Sequence, residues 1–209
     1  MLENRAFMLY TVSIEHTRNV ACMEKLRRQI EAYVPCCEQE AADREMLLRA
    51  IDTLESPLTR DNPFAHFTAS SWIVNPARDK ALMAWHNIYR TWAWTGGHAD
   101  GEADLLAVAL REAREETGIS DIVTVTPEIY SIEILPVNAH IKRGKFVSAH
   151  LHLNVTYLLQ ADDSQPIHAK PDENSAVGWL PIDEAADNKD EPFMAVIYKK
   201  LNDKLSSAQ

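Results

Sequence analysis

The chain has 209 residues, of which 46% are apolar and 25% charged, so it can bury a sizeable core and is not typical of disordered proteins. Its formal net charge of −10 disfavours binding to nucleic-acid polymers, although small phosphorylated ligands are compatible with it where bound cations reverse the local field. The three cysteines, Cys22, Cys36 and Cys37, lack the spacing of a disulfide framework or a structural zinc site. We therefore expect a cytoplasmic protein with neither a membrane segment nor a signal peptide.

Residues 1–60 differ from the rest of the chain because they contain no glycine. Pro35 separates a charged stretch of helical pattern, Ile14–Tyr33, from a second one, Glu38–Leu54. In the second stretch the apolar residues that recur at helical spacing are Met46, Leu47, Ile51 and Leu54. We predict a helical extension whose apolar stripe packs against another surface. Because symmetric dimers are the commonest oligomers, we also expect a homodimer.

Residues 61–209 are predicted to form one α/β domain. The predicted strands are Phe67–Val74, Lys80–His86, Val123–Leu135, Ala149–Leu159 and Val177–Leu180. A helix is predicted over Asp104–Thr117, ended by Gly118, and a last amphipathic helix over Phe193–Leu205. The polar stretch Ala161–Asn174 is interpreted as a loop, and Lys142, Arg143 and Lys145 as a solvated turn.

The predicted helix 104–117 has two distinct faces. One face carries the small and apolar residues Ala103, Leu106, Ala107, Leu110, Ala113 and Thr117, and is predicted to pack on a sheet. Another face carries Glu112, Glu115 and Glu116, which repel one another and lie near the helix C-terminus, where anions are disfavoured. Such a cluster becomes favourable when a hard divalent cation binds between the carboxylates.

The segment Gly97–Ile119 resembles the signature of the Nudix family, which runs G, five residues, E, seven residues, R-E-U-x-E-E-x-G-U, where U is apolar. The matching residues are Gly97, Arg111, Glu112, Ala113, Glu115, Glu116, Gly118 and Ile119. Weaker likeness extends over roughly residues 62–205. The resemblance implies an α/β/α sandwich with a mixed sheet, here with an N-terminal helical extension.

One position departs from the signature, because Ala103 stands where the family has its first glutamate. In the family that glutamate helps to hold the arginine, which is Arg111 here. Glu102 and Asp104 flank the position, so a neighbouring carboxylate is expected to be able to take over this task.

The resemblance implies a role for each matching residue. Glu112, Glu115 and Glu116, with the backbone carbonyl of Gly97, would bind Mg²⁺ or alternatively Mn²⁺. Arg111 would pair with these carboxylates and fix their orientation. Water would attack a phosphorus atom, and the metal would lower the pKa of that water.

The residues of the signature account for the metal ligands but do not identify the general base. In the family this carboxylate often precedes a late strand, and here Asp172 and Glu173 lie in such a loop. We choose Glu173 because it is closer to the strand and longer, with Glu112 as the alternative.

Three histidines are candidates for substrate contact. His98 directly follows the glycine pair, and His150 and His152 are two residues apart on a predicted strand, so they share a face.

The function implied is that of a metal-dependent hydrolase that cleaves a phosphoanhydride bond in a nucleoside diphosphate linked to another moiety, or in a similar small diphosphate. The alternative is a Nudix-fold domain that binds such a ligand without hydrolysing it. Isomerisation of a prenyl diphosphate is disfavoured because it needs a catalytic cysteine, and all three cysteines lie in the extension. ADP-ribose, nucleoside diphosphate sugars, modified nucleoside triphosphates, dinucleoside polyphosphates and non-nucleotide phosphates all remain open as substrates.

Overall fold

The computed structural model describes residues 23–142, 144–189 and 191–207. Two helices come first: residues 23–32 are helical (α1), and α2 is Glu38–Thr53. The strands are β1 Ala65–Val74, β2 Lys80–His86, β3 Thr91–Ala93, β4 Thr95–His98, β5 Ile122–Thr124, β6 Ser131–Val137, β7 His140–Lys142, β8 Lys145–Val147, β9 His150–Ala161 and β10 Asn174–Pro181. The remaining helices are α3 Leu105–Thr117, α4 Ile182–Ala186 and α5 Pro192–Ser207. The helical pattern from Ile14 to residue 22, with Cys22, lies outside the described residues.

One mixed sheet contains eight of these strands, in the order β10-β2-β1-β9-β5, with β3 beside β2, β4 beside β1 and β6 beside β9. Strands β1 and β9 are parallel and pair from Ala65↔Leu151 to Val74↔Gln160, whereas the other pairs in this sheet are antiparallel. Strands β7 and β8 form a separate two-stranded hairpin.

Helices cover both faces of the sheet because successive side chains of β1 point to opposite sides. Phe67 and Ile73 belong to a core that includes residues of α1, α2 and α3. Trp72 and Val74 belong to a second core, which includes Tyr198 of α5. The expected α/β/α sandwich with a mixed sheet is therefore confirmed. Among the described residues, no helix combines the length and apolar character needed to cross a membrane.

The helical extension packs on the same sheet. Leu26 and Ile30 of α1 and Leu47 of α2 are fully buried in one core with Val155 of β9. Leu47, Ile51 and Leu54 of the predicted apolar stripe therefore pack within the chain, whereas Met46, its fourth member, is 48% exposed. Self-association stays a prediction, and it would use a different surface.

The sequence misplaced several element boundaries. The strand expected over Val123–Leu135 is two strands, β5 and β6, separated by a turn that contains Pro127. The late strand begins at Asn174 rather than at Val177, because it pairs with β2 over nearly its whole length. The interpretation of residues 142–145 as a solvated turn missed the β7–β8 hairpin, in which Gly144 has φ 76°. Arg143 lies outside the described residues.

A buried carboxylate joins the extension to the C-terminal helix. Glu40 of α2 is fully buried and accepts hydrogen bonds from the Tyr33 hydroxyl at 2.6 Å and the Cys36 amide at 2.8 Å. The ammonium groups of Lys200 and Lys204 on α5 each lie 3.1 Å from it. Burial alone raises the pKa of Glu40, but these hydrogen bonds and positive charges outweigh burial and lower it to about 2.

This pKa predicts an acid-sensitive stability. A carboxyl group with a lowered folded-state pKa stabilises the fold above its unfolded pKa, and this contribution is lost as the pH falls toward the folded value. We expect the free energy of unfolding to fall between about pH 4.5 and pH 2 by on the order of 3 kcal/mol from Glu40. Urea unfolding at a series of pH values, on wild type and Glu40→Gln, measures this term. Equal pH slopes for the two proteins would contradict the prediction.

Candidate active site

Helix α3 carries the acidic side chains that the sequence singled out. It begins after Asp104, whose carboxylate accepts a hydrogen bond from the Ala107 amide at 3.2 Å. It ends at Gly118, which takes the left-handed conformation with φ 72° and donates its N–H to the Arg114 carbonyl at 2.9 Å. Both ends are therefore fixed by local hydrogen bonds, and the end at Gly118 is the one that the sequence predicted.

The packing face of α3 is centred differently from the predicted one. Its buried residues are Leu105, Val108, Ala109, Ala113 and Thr117. Leu106 and Leu110 are partly buried at the margin, and Ala107 is exposed. The small side chains of Ala109 and Ala113 let the helix approach β1 and β4 closely, and the Ser71 hydroxyl of β1 donates to the Ala109 carbonyl at 3.4 Å.

A glycine pair on β4 lets the helix lie against the sheet. A Cβ atom on Gly97 would overlap the side chain of Glu112, so any other residue here would displace the Glu112 carboxylate from its present position. The amide of Gly96 donates to Glu116 Oε1 at 3.4 Å. Strand β4 therefore touches both glutamates through its backbone.

The structure brings together three of the predicted site residues. Single carboxylate oxygens of Glu112, Glu116 and Glu173 all lie within 4.8 Å of one another. Glu173 approaches α3 because the loop before β10 is held at the end of the helix, where the Asn174 side chain donates to the Glu116 carbonyl at 3.1 Å. The Glu173 carbonyl in turn accepts from the Asn87 amide at 3.1 Å.

The electrostatics of this cluster are unfavourable without a cation. Burial raises the pKa of Glu116 to about 8; the Gly96 hydrogen bond opposes this shift, and the charges of Glu112 and Glu173 add to it. Burial also raises the pKa of Glu112, against the influence of Arg111. Neighbouring carboxylates that are desolvated and only partly compensated are the donor set that suits a hard divalent cation. The residues present therefore fit Mg²⁺ or Mn²⁺.

Glu115, the remaining glutamate of the helix, lies at the edge of this cluster. Its half-exposed carboxylate is 3.3 Å from Lys170 Nζ and 4.0 Å from Arg111 Nε. Lys170 also contacts Glu173, at 3.1 Å. Sequence reasoning assigned no role to Lys170, since a lysine in a polar loop carries no signal of its own.

Arg111 contacts a glutamate of its own helix rather than the expected carboxylate from a residue beside Ala103. Its guanidinium lies 3.2 Å from Glu112 Oε1, so it does pair with a carboxylate of the helix. Glu102 and Asp104, which flank the buried Ala103, do not take the place of the missing glutamate beside Arg111, because both form other contacts at the start of the helix. Glu102 accepts from the Asp104 amide at 2.9 Å, and Asp104 pairs with Lys25 at 3.2 Å.

The three predicted histidines lie together with a fourth, His66, which sequence reasoning missed. The ring centroids of His98 and His152 are 4.9 Å apart, and His66 lies 4.9–5.3 Å from His98, His150 and His152. Burial lowers the pKa of His66, lowers that of His98 to about 3 and lowers that of His152 to about 2. All three are neutral at pH 7.

This histidine cluster projects from the face of the sheet opposite α3. Gly97 faces Glu112 of α3, and residues alternate along a strand, so His98 points to the other side. The charge of Lys142 contributes to the lowered pKa of both His98 and His152, so the β7–β8 hairpin lies near the cluster. In the sequence, His66 stands out only because it lies next to a predicted strand, and this position does not indicate which residues its side chain contacts.

Comparisons with known proteins agree with this architecture. The chain matches the NUDIX domain model over residues 65–201, which is more than half of its length. A Nudix hydrolase from M. smegmatis, RenU, superposes with a TM-score of 0.50 at 17% identity, covering 70% of this chain and 89% of that one. A C. elegans Ap4A hydrolase gives 0.48 at 17% identity (68% and 98% covered), and a NUDIX family hydrolase from Clostridium perfringens gives 0.48 at 20% (67% and 97%). No curated protein matches the sequence.

A mixed α/β sandwich that holds half-buried glutamates between one helix and a glycine-bearing strand, together with the match over residues 65–201, defines the class of protein as a NUDIX domain. The chain belongs to the NUDIX family. At these identities the structural likeness adds the fold and nothing about the substrate.

The close approach at Gly97 makes a testable prediction. Gly97→Ala forces the Glu112 carboxylate away from Glu116, so we expect the affinity for Mn²⁺ to fall at least about tenfold. Gly178→Ala is the matched control, because its added Cβ would lie 3.4 Å from the Trp92 ring, an ordinary contact. Electron paramagnetic resonance of free Mn²⁺ gives both affinities, and circular dichroism checks the folds. Wild-type affinity in Gly97→Ala would contradict this account of the site.

Proposed function

We propose that this protein is a Mg²⁺-dependent hydrolase that cleaves a phosphoanhydride bond in a nucleoside diphosphate linked to another moiety, or in a similar small diphosphate. The observation that carries the proposal is the convergence of Glu112, Glu116 and Glu173, whose oxygens lie within 4.8 Å of one another. Burial disfavours the charged forms of Glu112 and Glu116, and a divalent cation offsets this cost.

Glu112 and Glu116 are the proposed ligands of Mg²⁺ or Mn²⁺, together with the Gly97 carbonyl and Glu115. The bound ion supplies polarisation of the phosphoryl oxygens and lowers the pKa of the attacking water. Arg111, 3.2 Å from Glu112, acts as a positioning residue that holds this carboxylate against β4. Lys170 restrains Glu115 and Glu173 from the opposite side.

Glu173 is the proposed general base. It comes from the loop before β10, outside the signature, yet its carboxylate borders those of Glu112 and Glu116. A base in this place can accept the proton of a water that lies beside the metal ligands. Its Oε2 atom lies 3.1 Å from Lys170 Nζ, so this lysine restrains the carboxylate.

His98, His150 and His152 are the proposed contacts for the part of the substrate remote from the scissile bond. They lie on the sheet face opposite α3, so they do not share the carboxylate pocket. Lys142 on the β7–β8 hairpin adds positive charge near this face, which suits an anionic ligand.

The direct test is hydrolysis of a panel of nucleoside diphosphate sugars, dinucleoside polyphosphates and modified nucleoside triphosphates with Mg²⁺, followed by mass spectrometry of the products in ¹⁸O water. We expect cleavage between two phosphorus atoms, with one ¹⁸O in one product and no turnover in excess EDTA. Tight binding of a panel member without turnover would favour the non-catalytic alternative.

Neutralising a metal ligand should abolish activity. We expect Glu116→Gln and Glu115→Gln each to lower turnover by at least about a hundredfold, because an amide is a poorer ligand for a hard cation. Glu128→Gln, at an exposed position away from α3, is the control and should retain wild-type turnover. Activity of the Glu116 variant near that of wild type, with an unchanged circular dichroism spectrum, would refute the ligand assignment.

The base assignment has its own test. If Glu173 accepts the proton, Glu173→Gln should lower turnover by at least about a hundredfold while the Mn²⁺ affinity stays within about twofold of wild type. Asp172→Asn, at the exposed neighbouring carboxylate, serves as control. A parallel loss of Mn²⁺ affinity would make Glu173 a ligand instead, and an active variant would move the base to Glu112.

A homodimer and a cytoplasmic location are part of the same proposal. Cys36 and Cys37 are exposed free thiols, as expected in a reducing compartment. The exposed apolar side chains of Phe193 and Val196 on α5 offer a surface for self-association.

A further inference from the structure

We propose that His66, His98 and His152 form a second metal site, which binds a divalent transition-metal ion such as Zn²⁺ on the sheet face opposite α3. One imidazole nitrogen of each lies within 4.8 Å of one nitrogen of the other two. No carboxylate belongs to this group, and its place in the fold separates it from the Glu112–Glu116 pocket.

Three different strands hold the ligands in place. His66 of β1 is directly opposite His152 of β9, and His98 of β4 is opposite Thr68, two residues along β1. All three therefore project from one face within a short stretch of hydrogen-bonded sheet. Rigid elements of this kind hold a ligand set with little conformational freedom to lose on binding.

The tautomer of His66 is fixed in the form that a metal needs. Its Nδ1 lies 3.2 Å from the carbonyl oxygen of Asn62, and a carbonyl can only accept a hydrogen bond, so Nδ1 carries the proton. The lone pair is therefore on Nε2. That atom is buried, in a residue only 4% exposed, and has no hydrogen-bond partner among the described residues. Ligating histidines commonly have their second nitrogen held by a backbone carbonyl in this way.

His152 shows the same unsatisfied atom. Its Nε2 is also buried without a hydrogen-bond partner among the described residues. A buried polar atom without a partner destabilises the fold, and coordination of an ion would remove this cost for both imidazoles. Zinc–nitrogen bonds of about 2.0–2.1 Å in a tetrahedral site place the nitrogens about 3.4 Å apart, so the imidazoles would have to move closer together than the 4.8 Å within which they now lie.

The donor set selects the kind of ion. Neutral imidazoles suit Zn²⁺, Ni²⁺, Cu²⁺ and Co²⁺, whereas carboxylates and carbonyls suit Mg²⁺ and Mn²⁺. Two positive charges lie near the cluster. Arg60 is paired with Asp100 through two hydrogen bonds of 2.8 and 2.7 Å, which offsets its repulsion of a bound cation, whereas Lys142 of the β7–β8 hairpin opposes cation binding. The protein therefore contains two sites with different metal preferences.

His150 lies beside the group formed by His66, His98 and His152 but is not part of it. His150 stacks on His66 at 4.9 Å, and its Nδ1 lies 2.8 Å from the Ser148 carbonyl, so its lone pair is also on Nε2. Three histidines with an open position for water or a ligand oxygen are a known arrangement for zinc. The ion would join the ends of β1, β4 and β9 and would fix His98, which directly follows Gly97.

The test is metal binding by the full chain, purified without a histidine tag and freed of metal by dialysis. Saturating Mg²⁺ occupies the carboxylate pocket while Zn²⁺ is titrated by calorimetry and Co²⁺ by visible absorption. We expect one equivalent of each to bind, with the intense d–d bands of low-coordinate Co²⁺. His98→Gln and His152→Gln should each weaken Zn²⁺ binding at least about tenfold.

Two controls separate the sites. His140→Gln, on the β7–β8 hairpin, should leave Zn²⁺ binding unchanged, and Glu116→Gln should weaken Mn²⁺ binding but not Zn²⁺ binding. Imidazole ¹⁵N NMR tests the wild-type protein directly. One equivalent of Zn²⁺ should change the chemical shift of one ring nitrogen in each of His66, His98 and His152. Failure to bind one equivalent, shifts at other histidines only, or wild-type affinity in both histidine variants would overturn the proposal.

Discussion

The parallel pairing of β1 with β9 is the constraint on which the rest of the structure depends. Two strands far apart in sequence pair over ten residues, from Ala65↔Leu151 to Val74↔Gln160, in the middle of the sheet. Because side chains alternate, this register sends one set toward α3 and the other toward α5. The register also places His66 beside His152. On the other face it presents the apolar side chains against which α3, the helix that carries the glutamates, packs. A shift of one residue would exchange the two sets.

Buried polar groups are compensated by hydrogen bonds and opposite charges to different extents on the two faces of this sheet. Toward α5, Asn154 accepts from Thr68 and Ser70 at 3.0 and 2.8 Å and donates to Glu133 at 2.9 Å, and Glu133 pairs with Lys200 at 3.0 Å. These groups compensate one another, as buried polar networks must if they are to stabilise a fold. On the α3 side the carboxylates are compensated only in part. We interpret that remaining charge as the feature that makes the helix a metal-binding element.

Local patterns were sufficient for the active-site helix. Asp104 and Gly118 bound α3 as the sequence indicated, because capping depends on hydrogen bonds within a few residues. The placement of Glu112 and Glu116 on one side follows from the 3.6-residue period alone. Gly97 was identified through the resemblance, and its close contact with Glu112 gives the physical reason for a glycine there.

By itself, then, the sequence determined the identity of α3 and the carboxylates that it carries, since both depend on short-range geometry, and the class of fold followed from its resemblance to the Nudix signature. Only the tertiary structure decided that Glu173 reaches these carboxylates and that Lys170 lies between it and Glu115. Likewise, His66 joins His152 only through the β1–β9 register. Apart from Lys170–Glu173, these contacts join residues more than fifty positions apart, and their distances are set by how strands and loops pack, which no local period or spacing encodes.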